Sequence, residues 1–200
     1  MYIVIVKYAL DGLSNQTLMN TVKVAIVAMF CALSIGTDYA MYGLLNVKFM
    51  DFIVFVGGFC FGPVVGVLVG VISWSVYGTL NPQGFVLPVL LATMFSEAFY
   101  GVAGGLLRKG FTGFKGEAWR ASLFFASVGA VLTLMYDVVT NVVFGLTAGW
   151  NVVFAVVVGF VPFGLVHEIS NLVFFGVGSV PVISAVNKVV GGERNVNVKE

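Results

Sequence analysis

Between Phe85 and Leu107 the chain carries a single charged residue, Glu97, and between Ala121 and Leu146 again a single one, Asp137. About 20 apolar residues are what an α-helix needs to cross roughly 30 Å of hydrocarbon. Backbone in lipid must also satisfy its own hydrogen bonds, which a helix does. These two runs set the class as an all-α membrane protein. The remainder is of the same kind, since 60% of the 200 residues are hydrophobic and only 10% charged. That length holds about six spans and no soluble catalytic domain. A net charge of +1 gives nucleic acid little to bind. Cys31 and Cys60 lie in apolar runs and are expected as small core residues, not as a disulfide or a metal site.

The opening segment, Met1 to Leu10, is apolar but short and interrupted by Lys7. Residues 1–16 are therefore expected as a non-spanning lead-in. A first span is expected from Thr21 to Gly36, with Ala25, Ala28 and Ala32 forming a small-residue face against which another helix can lie, within this chain or in a partner. Thr37 to Asp51, with Tyr39, Tyr42, Asn46 and Lys48, is read as a loop or interfacial segment. Gly62-Pro63 divides the next apolar run into helices at Phe52–Phe61 and Val64–Gly78, because proline lacks the helical donor and disfavours helix just before it. The first of these is short, so it must tilt, extend into the preceding loop or be shielded by neighbours. A turn is expected at Asn81-Pro82-Gln83-Gly84, then spans at Phe85–Leu107 and Ala121–Leu146 around a basic loop. Val152 to Val161 is too short to span and is read as a re-entrant or interfacial helix ahead of a sixth span that starts near Pro162 and ends near Val189.

Six spans with both termini in the cytoplasm place Lys7, Lys23, Arg108, Lys109, Lys115, Arg120, Lys188, Arg194 and Lys199 inside and leave Lys48 outside, as the positive-inside rule asks. The whole is expected as one membrane-embedded domain over 1–200, with a polar cytoplasmic tail at 192–200.

Two polar islands stand out. Asp137 precedes Asn141 by one helical turn, and His167 precedes Asn171 likewise, so each pair shares a helix face. They read as two walls of one pocket. By helical rise, Asp137 lies about 25 Å along its span and Glu97 about 18 Å along its own, while His167 and Glu168 fall near the outer start of the last span. Charges at such depths cost about 2.5 to 3.5 kcal/mol each, so they face a cavity or one another. Both outcomes stay open: a binding site, or hydrogen bonds that fix the bundle. Trp74, Tyr77, Tyr136 and Trp150 supply candidate stacking faces. With Glu97, Asp137 and Glu168 outnumbering deep cations, a neutral or cationic heteroaromatic suits the site, and a bare carboxylate would lack a partner.

Enzyme and metal chemistry fit less well. His167-Glu168 begins a zinc-protease motif, but Asn171 stands where its second histidine is needed. A single histidine and no Cys-x-x-Cys leave no metal site and call for no cofactor. An intramembrane enzyme using Glu97, Asp137 and His167, a hydrolase pairing Ser170 with His167, and a structural assembly protein remain as alternatives.

Several stretches together resemble the substrate-binding S components of energy-coupling factor (ECF) vitamin transporters, over nearly the whole length after about residue 17. They are Ala28-x-x-x-Ala32, Phe61-Gly62-Pro63-Val64-Val65-Gly66 with Gly70, Gly104-Gly105, Tyr136-Asp137 with Thr140-Asn141, and Gly159 to Phe163 leading into His167 to Asn171. The resemblance implies a subunit of the cell membrane that captures a vitamin or related micronutrient from outside with high affinity. It further implies association with a transmembrane coupling subunit and two cytoplasmic ATPases, with Ala25, Ala28 and Ala32 as the docking face. Biotin members carry an acid followed by lysine where this chain has His167-Glu168, and metal-specific members start Met-His where this chain has Met1-Tyr2, so biotin, cobalt and nickel are disfavoured. Thiamine-like, pyridoxine-like and deazapurine-like ligands all suit the acids and aromatics.

Overall fold

The structure is a computed structural model that describes residues 2–81, 84–110 and 118–190, with side chains described for 20–81, 84–108 and 119–189. The expected polar tail at 192–200, most of the basic loop and Pro82-Gln83 of the expected turn lie outside the described residues. Among the described residues seven α-helices follow one another: α1 (Tyr2–Ala40), α2 (Met50–Phe61), α3 (Pro63–Thr79), α4 (Leu87–Gly110), α5 (Ala118–Ala148), α6 (Val152–Gly159) and α7 (Leu165–Val190). A π-helical turn, Phe160–Gly164, joins the last two. Among the described residues there is no strand. Asn20–Ala40, Leu87–Arg108, Trp119–Ala148 and Val152–Val189 are long and apolar enough to cross a membrane, while α2 and α3 are shorter apolar helices.

The short α2 is the axis of the bundle. Every residue from Met50 to Cys60 is buried, and the helix packs against α1, α3, α4 and α7. Shielding by neighbours is thus how a helix of 12 residues (about 18 Å) sits in this fold. Its start is set from a distance. Asp38, in the last turn of α1, accepts hydrogen bonds through Oδ1 from the N–H groups of Phe49 and Met50, each at 3.2 Å. Those donors have no partner inside the helix, and a carboxylate suits the positive end of its dipole. Thr37 to Asp51 is accordingly less of a loop than the sequence suggests. It gives its first residues to α1 and its last two to α2, because a buried cap fixes where α2 begins.

The break between α2 and α3 is Gly62, whose φ of +105° suits glycine, followed by Pro63 at the first position of α3. Folding back at this point brings three helices into backbone contact where Gly58, Gly66 and Gly101 cross. A Cβ on Gly66 would lie 2.6 Å from Gly101 Cα.

Residues 2–19 continue α1 as helix ahead of the candidate span that begins at Asn20, and one further boundary differs from expectation. The last helix starts at Leu165, not Pro162: Val161 leaves helical backbone (φ −115°, ψ 113°), the Val161–Pro162 bond is cis, and Pro162 lies inside the π-helical turn that precedes α7. Upstream, α6 is started by Asn151, whose side chain accepts from the Phe154 N–H at 3.1 Å.

Candidate functional site

Four helices meet around a buried polar chain. Asp51 of α2 accepts through Oδ2 from Asn171 Nδ2 of α7, and the same oxygen faces His167 Nε2 of that helix, both at 2.6 Å. His167 Nδ1 faces Asp137 Oδ1 of α5 at 2.9 Å. Two nitrogen–oxygen contacts need two hydrogens, so imidazole and carboxylates share two between them wherever each resides. Asn171 also donates to Thr133 Oγ1 at 2.8 Å, which accepts from the Tyr100 hydroxyl of α4 at 3.0 Å and donates to the Gly129 carbonyl. Asp51, His167, Asn171 and Thr133 are all fully buried.

Glu97 of α4 is fully buried as well, and its Oε2 accepts from Trp74 Nε1 of α3 at 3.0 Å while its carboxyl also faces that of Asp51. This bond fixes the plane of the Trp74 indole, which is packed 6.3 Å from Tyr136. Tyr136 stands edge-on to His167 at 5.5 Å.

Above this chain lies a cavity of about 210 Å³. Trp74, Tyr136, Asp137, Thr140 and Asn141 form its inner walls, Gly159 and Phe163 come from α6 and the π-helical turn, and Asn46 and Lys48 reach in from the 41–49 segment. A second cavity of about 360 Å³ shares Asn46, Lys48, Trp74 and Phe163 with it and extends to Asp38 and Tyr77. The 41–49 segment is tied across the opening by Asn46, whose Nδ2 donates to the Phe163 carbonyl at 3.0 Å. Gly159 lets α6 lie directly on Asn141, since a Cβ there would collide with its amide.

The sequence candidates therefore separate. Trp74, Tyr136, Asp137 and Asn141 line the first cavity, and Tyr77 lines the second. Glu97, His167 and Asn171 line neither; they hold Trp74, Asp51 and Asp137 from behind. The second polar island is the support of the pocket, not its opposite wall. Trp150 and Glu168 also stand outside both cavities. Trp150 is 45% exposed, turned out past Gly149 (φ +70°) onto Phe144 and Phe154. Glu168 is half-buried.

Three residues were missed. Asp38 and Asp51 were assigned to a loop, and Lys48 was counted only as the cation on the outer side. Its ammonium lies 4.8 Å from the centre of the Trp74 ring and 5.5 Å from that of Tyr136. The expectation that a carboxylate would find no cation here is corrected by this contact, because the 41–49 segment folds back over the helix ends. Acid in the first turn of an apolar run was the available signal for Asp51.

Among the described residues no three or more His, Cys, Asp or Glu side chains group to hold a metal ion, and both cysteines are buried and unpaired. Ala25, Ala28 and Ala32 are exposed on α1.

The family model of the ECF transporter substrate-specific component matches residues 22–177, well over half of the chain. The chain belongs to that family. Neither a curated protein nor a solved structure matches it. As an ECF substrate-specific component it is an integral membrane protein and a binding subunit of a transporter, not an enzyme, and any ATP hydrolysis lies with partner modules. Membership also implies a small-molecule substrate and association with an ECF module.

Proposed function

We propose that this S component captures a small vitamin-like solute from the extracellular side, with high affinity, in the cavity between the 41–49 segment and helices α3 to α6. The observation that carries the reading is convergence: four elements, the 41–49 segment, α3, α5 and the π-helical turn, deliver Lys48, Trp74, Asp137, Asn141 and Phe163 to one space. In the arrangement proposed, α1 to α5 and α7 span the membrane, α6 with its π-helical turn lies at the outer end, and both termini are cytoplasmic. Lys23, Arg108, Arg120 and Lys188 then share the cytoplasmic side, with Lys48 opposite. Uptake is driven by two ATPases through a transmembrane coupling subunit, which docks on the exposed Ala25, Ala28 and Ala32 face.

Native mass spectrometry of the purified chain tests capture: a small molecule is expected to remain bound. Asp137→Ala and Asn141→Ala should each release it, with affinity falling on the order of tenfold, the worth of one hydrogen bond of about 1.5 kcal/mol. Equal retention in both variants and the parent would place binding elsewhere.

A further inference from the structure

Lys48 is an ammonium group without a hydrogen-bond acceptor. Its Nζ rests over the faces of Trp74 and Tyr136, and among the described residues no oxygen takes any of its N–H groups. An ammonium offers three donors, and cation–π contact satisfies none of them directionally. One oxygen of each nearby acid is already engaged, while Asp38 Oδ2, Asp51 Oδ1 and Asp137 Oδ2 are buried without a donor among the described residues. Asp38 Oδ1 caps α2, Asp51 Oδ2 holds His167 and Asn171, and Asp137 Oδ1 holds His167. Asp38 and Asp51 interact with the Lys48 charge through space but do not bond it. The cation lines both cavities, where a solute can reach it.

Across the first cavity the polarity reverses. Asp137 is only 5% exposed, and its Oδ2 has no donor among the described residues. Asn141, one turn further along α5, lines the same space. An ammonium lacking an acceptor and an acid with one carboxylate oxygen lacking a donor thus line one small space. Either is costly to leave unpaired once a ligand excludes water.

We propose that the solute is amphoteric: a small ring compound with an acidic group, carboxylate or phosphate, at Lys48 Nζ and an N–H or O–H donor at Asp137 Oδ2. The assignment rests on the capture function above and goes beyond it by naming what the ligand must carry. A purely cationic solute leaves Lys48 opposing it. A purely anionic one leaves Asp137 opposing it.

Trp74 provides the readout. The chain has three tryptophans, and Trp119→Phe with Trp150→Phe leaves Trp74 alone in the cavity wall. The probe is the molecule extracted from the purified wild-type chain, rebound to ligand-stripped protein and followed by Trp74 fluorescence, both as extracted and with its acid capped as the methyl ester. Lys48→Met should weaken binding of the uncapped probe on the order of tenfold to a hundredfold, as for loss of a hydrogen bond to a charged group, and Lys48→Arg should restore most of it. Capping should weaken binding to the parent by a similar factor and to Lys48→Met hardly at all, because the partner is already gone. Lys48 makes no hydrogen bond in the fold, so Lys48→Met should lower the thermal midpoint only slightly, through loss of its contacts over Trp74 and Tyr136. Equal binding by Lys48→Met and the parent, an equal cost of capping in both, or a probe without an acidic group overturns the assignment while capture stands. A wild-type preparation that retains no small molecule overturns capture itself, and the assignment with it.

Discussion

His167 faces a carboxylate from each ring nitrogen, and its own side chain is fully buried. Removing one partner of such a set is worse than never having built it, because the remaining polar groups stay buried without a mate. Asp51→Ala leaves both His167 Nε2 and Asn171 Nδ2 unpaired at once, and should cost about 3 to 5 kcal/mol. The measurement is thermal unfolding in detergent, with a lowered midpoint expected. Asp51→Asn keeps the volume and one acceptor oxygen and should cost less, about 1 to 3 kcal/mol. Equal midpoints for Asp51→Ala and the parent would mean that the polar chain does not hold the bundle. The sequence located three of its members, Asp137, His167 and Asn171, because each belongs to a short polar island in a long apolar run, where polar residues are conspicuous. Asp51 escaped because it sits among Asn46, Lys48 and Phe49, where polarity looks like a loop. Its burial comes from a cap supplied by Asp38, a tertiary contact that local composition does not show. The same applies to Lys48, whose place over Trp74 depends on how the 41–49 segment folds back.

At the scale of elements, most boundaries were visible because they have local causes. Gly62-Pro63 breaks a helix by chain geometry alone, and the charge-poor runs that became α4 and α5 are set by hydropathy. The start of α7 was misplaced because Pro162 at a first helical turn and Pro162 in a π-helical turn look alike in sequence. Helix packing was legible as small-residue spacing, but not which helices would meet. The structure answers with Gly58, Gly66 and Gly101 at one crossing of α2, α3 and α4, where the neighbours are backbone atoms that cannot rotate away. Gly101→Val should therefore push α4 off α3. One turn before it, Glu97 would then lose its hold on Trp74, so both the thermal midpoint and Trp74 fluorescence should shift. Gly36→Ala is the control: a Cβ there meets nothing within 4 Å, and alanine in helix α1 should be neutral or stabilising by up to about 1 kcal/mol. Should the two substitutions behave alike, the crossing is not tight.

On the scale of the whole molecule, the bundle divides its labour between two regions. The two polar cavities lie where α3, α4, α5 and the π-helical turn converge, while among the described residues α1 packs chiefly on α2 and α3 and keeps its alanine stripe outside the core. A stripe of small residues that the chain itself does not cover is suited to close approach by a foreign helix. The groove beside it, about 600 Å³ between Ala28, Cys31, Pro63 and Leu68, shares no residue with either polar cavity. Docking and capture should thus separate by mutation. Ala28→Trp or Ala32→Trp places a bulky side chain on the exposed face and should abolish assembly with the coupling subunit and ATPases, read by co-purification of the complex. The same variants should retain the small molecule at parental levels, read by native mass spectrometry, because neither residue lines the cavities that hold Lys48 and Asp137. Loss of the small molecule alongside intact assembly would invert the assignment and make the stripe an internal packing face.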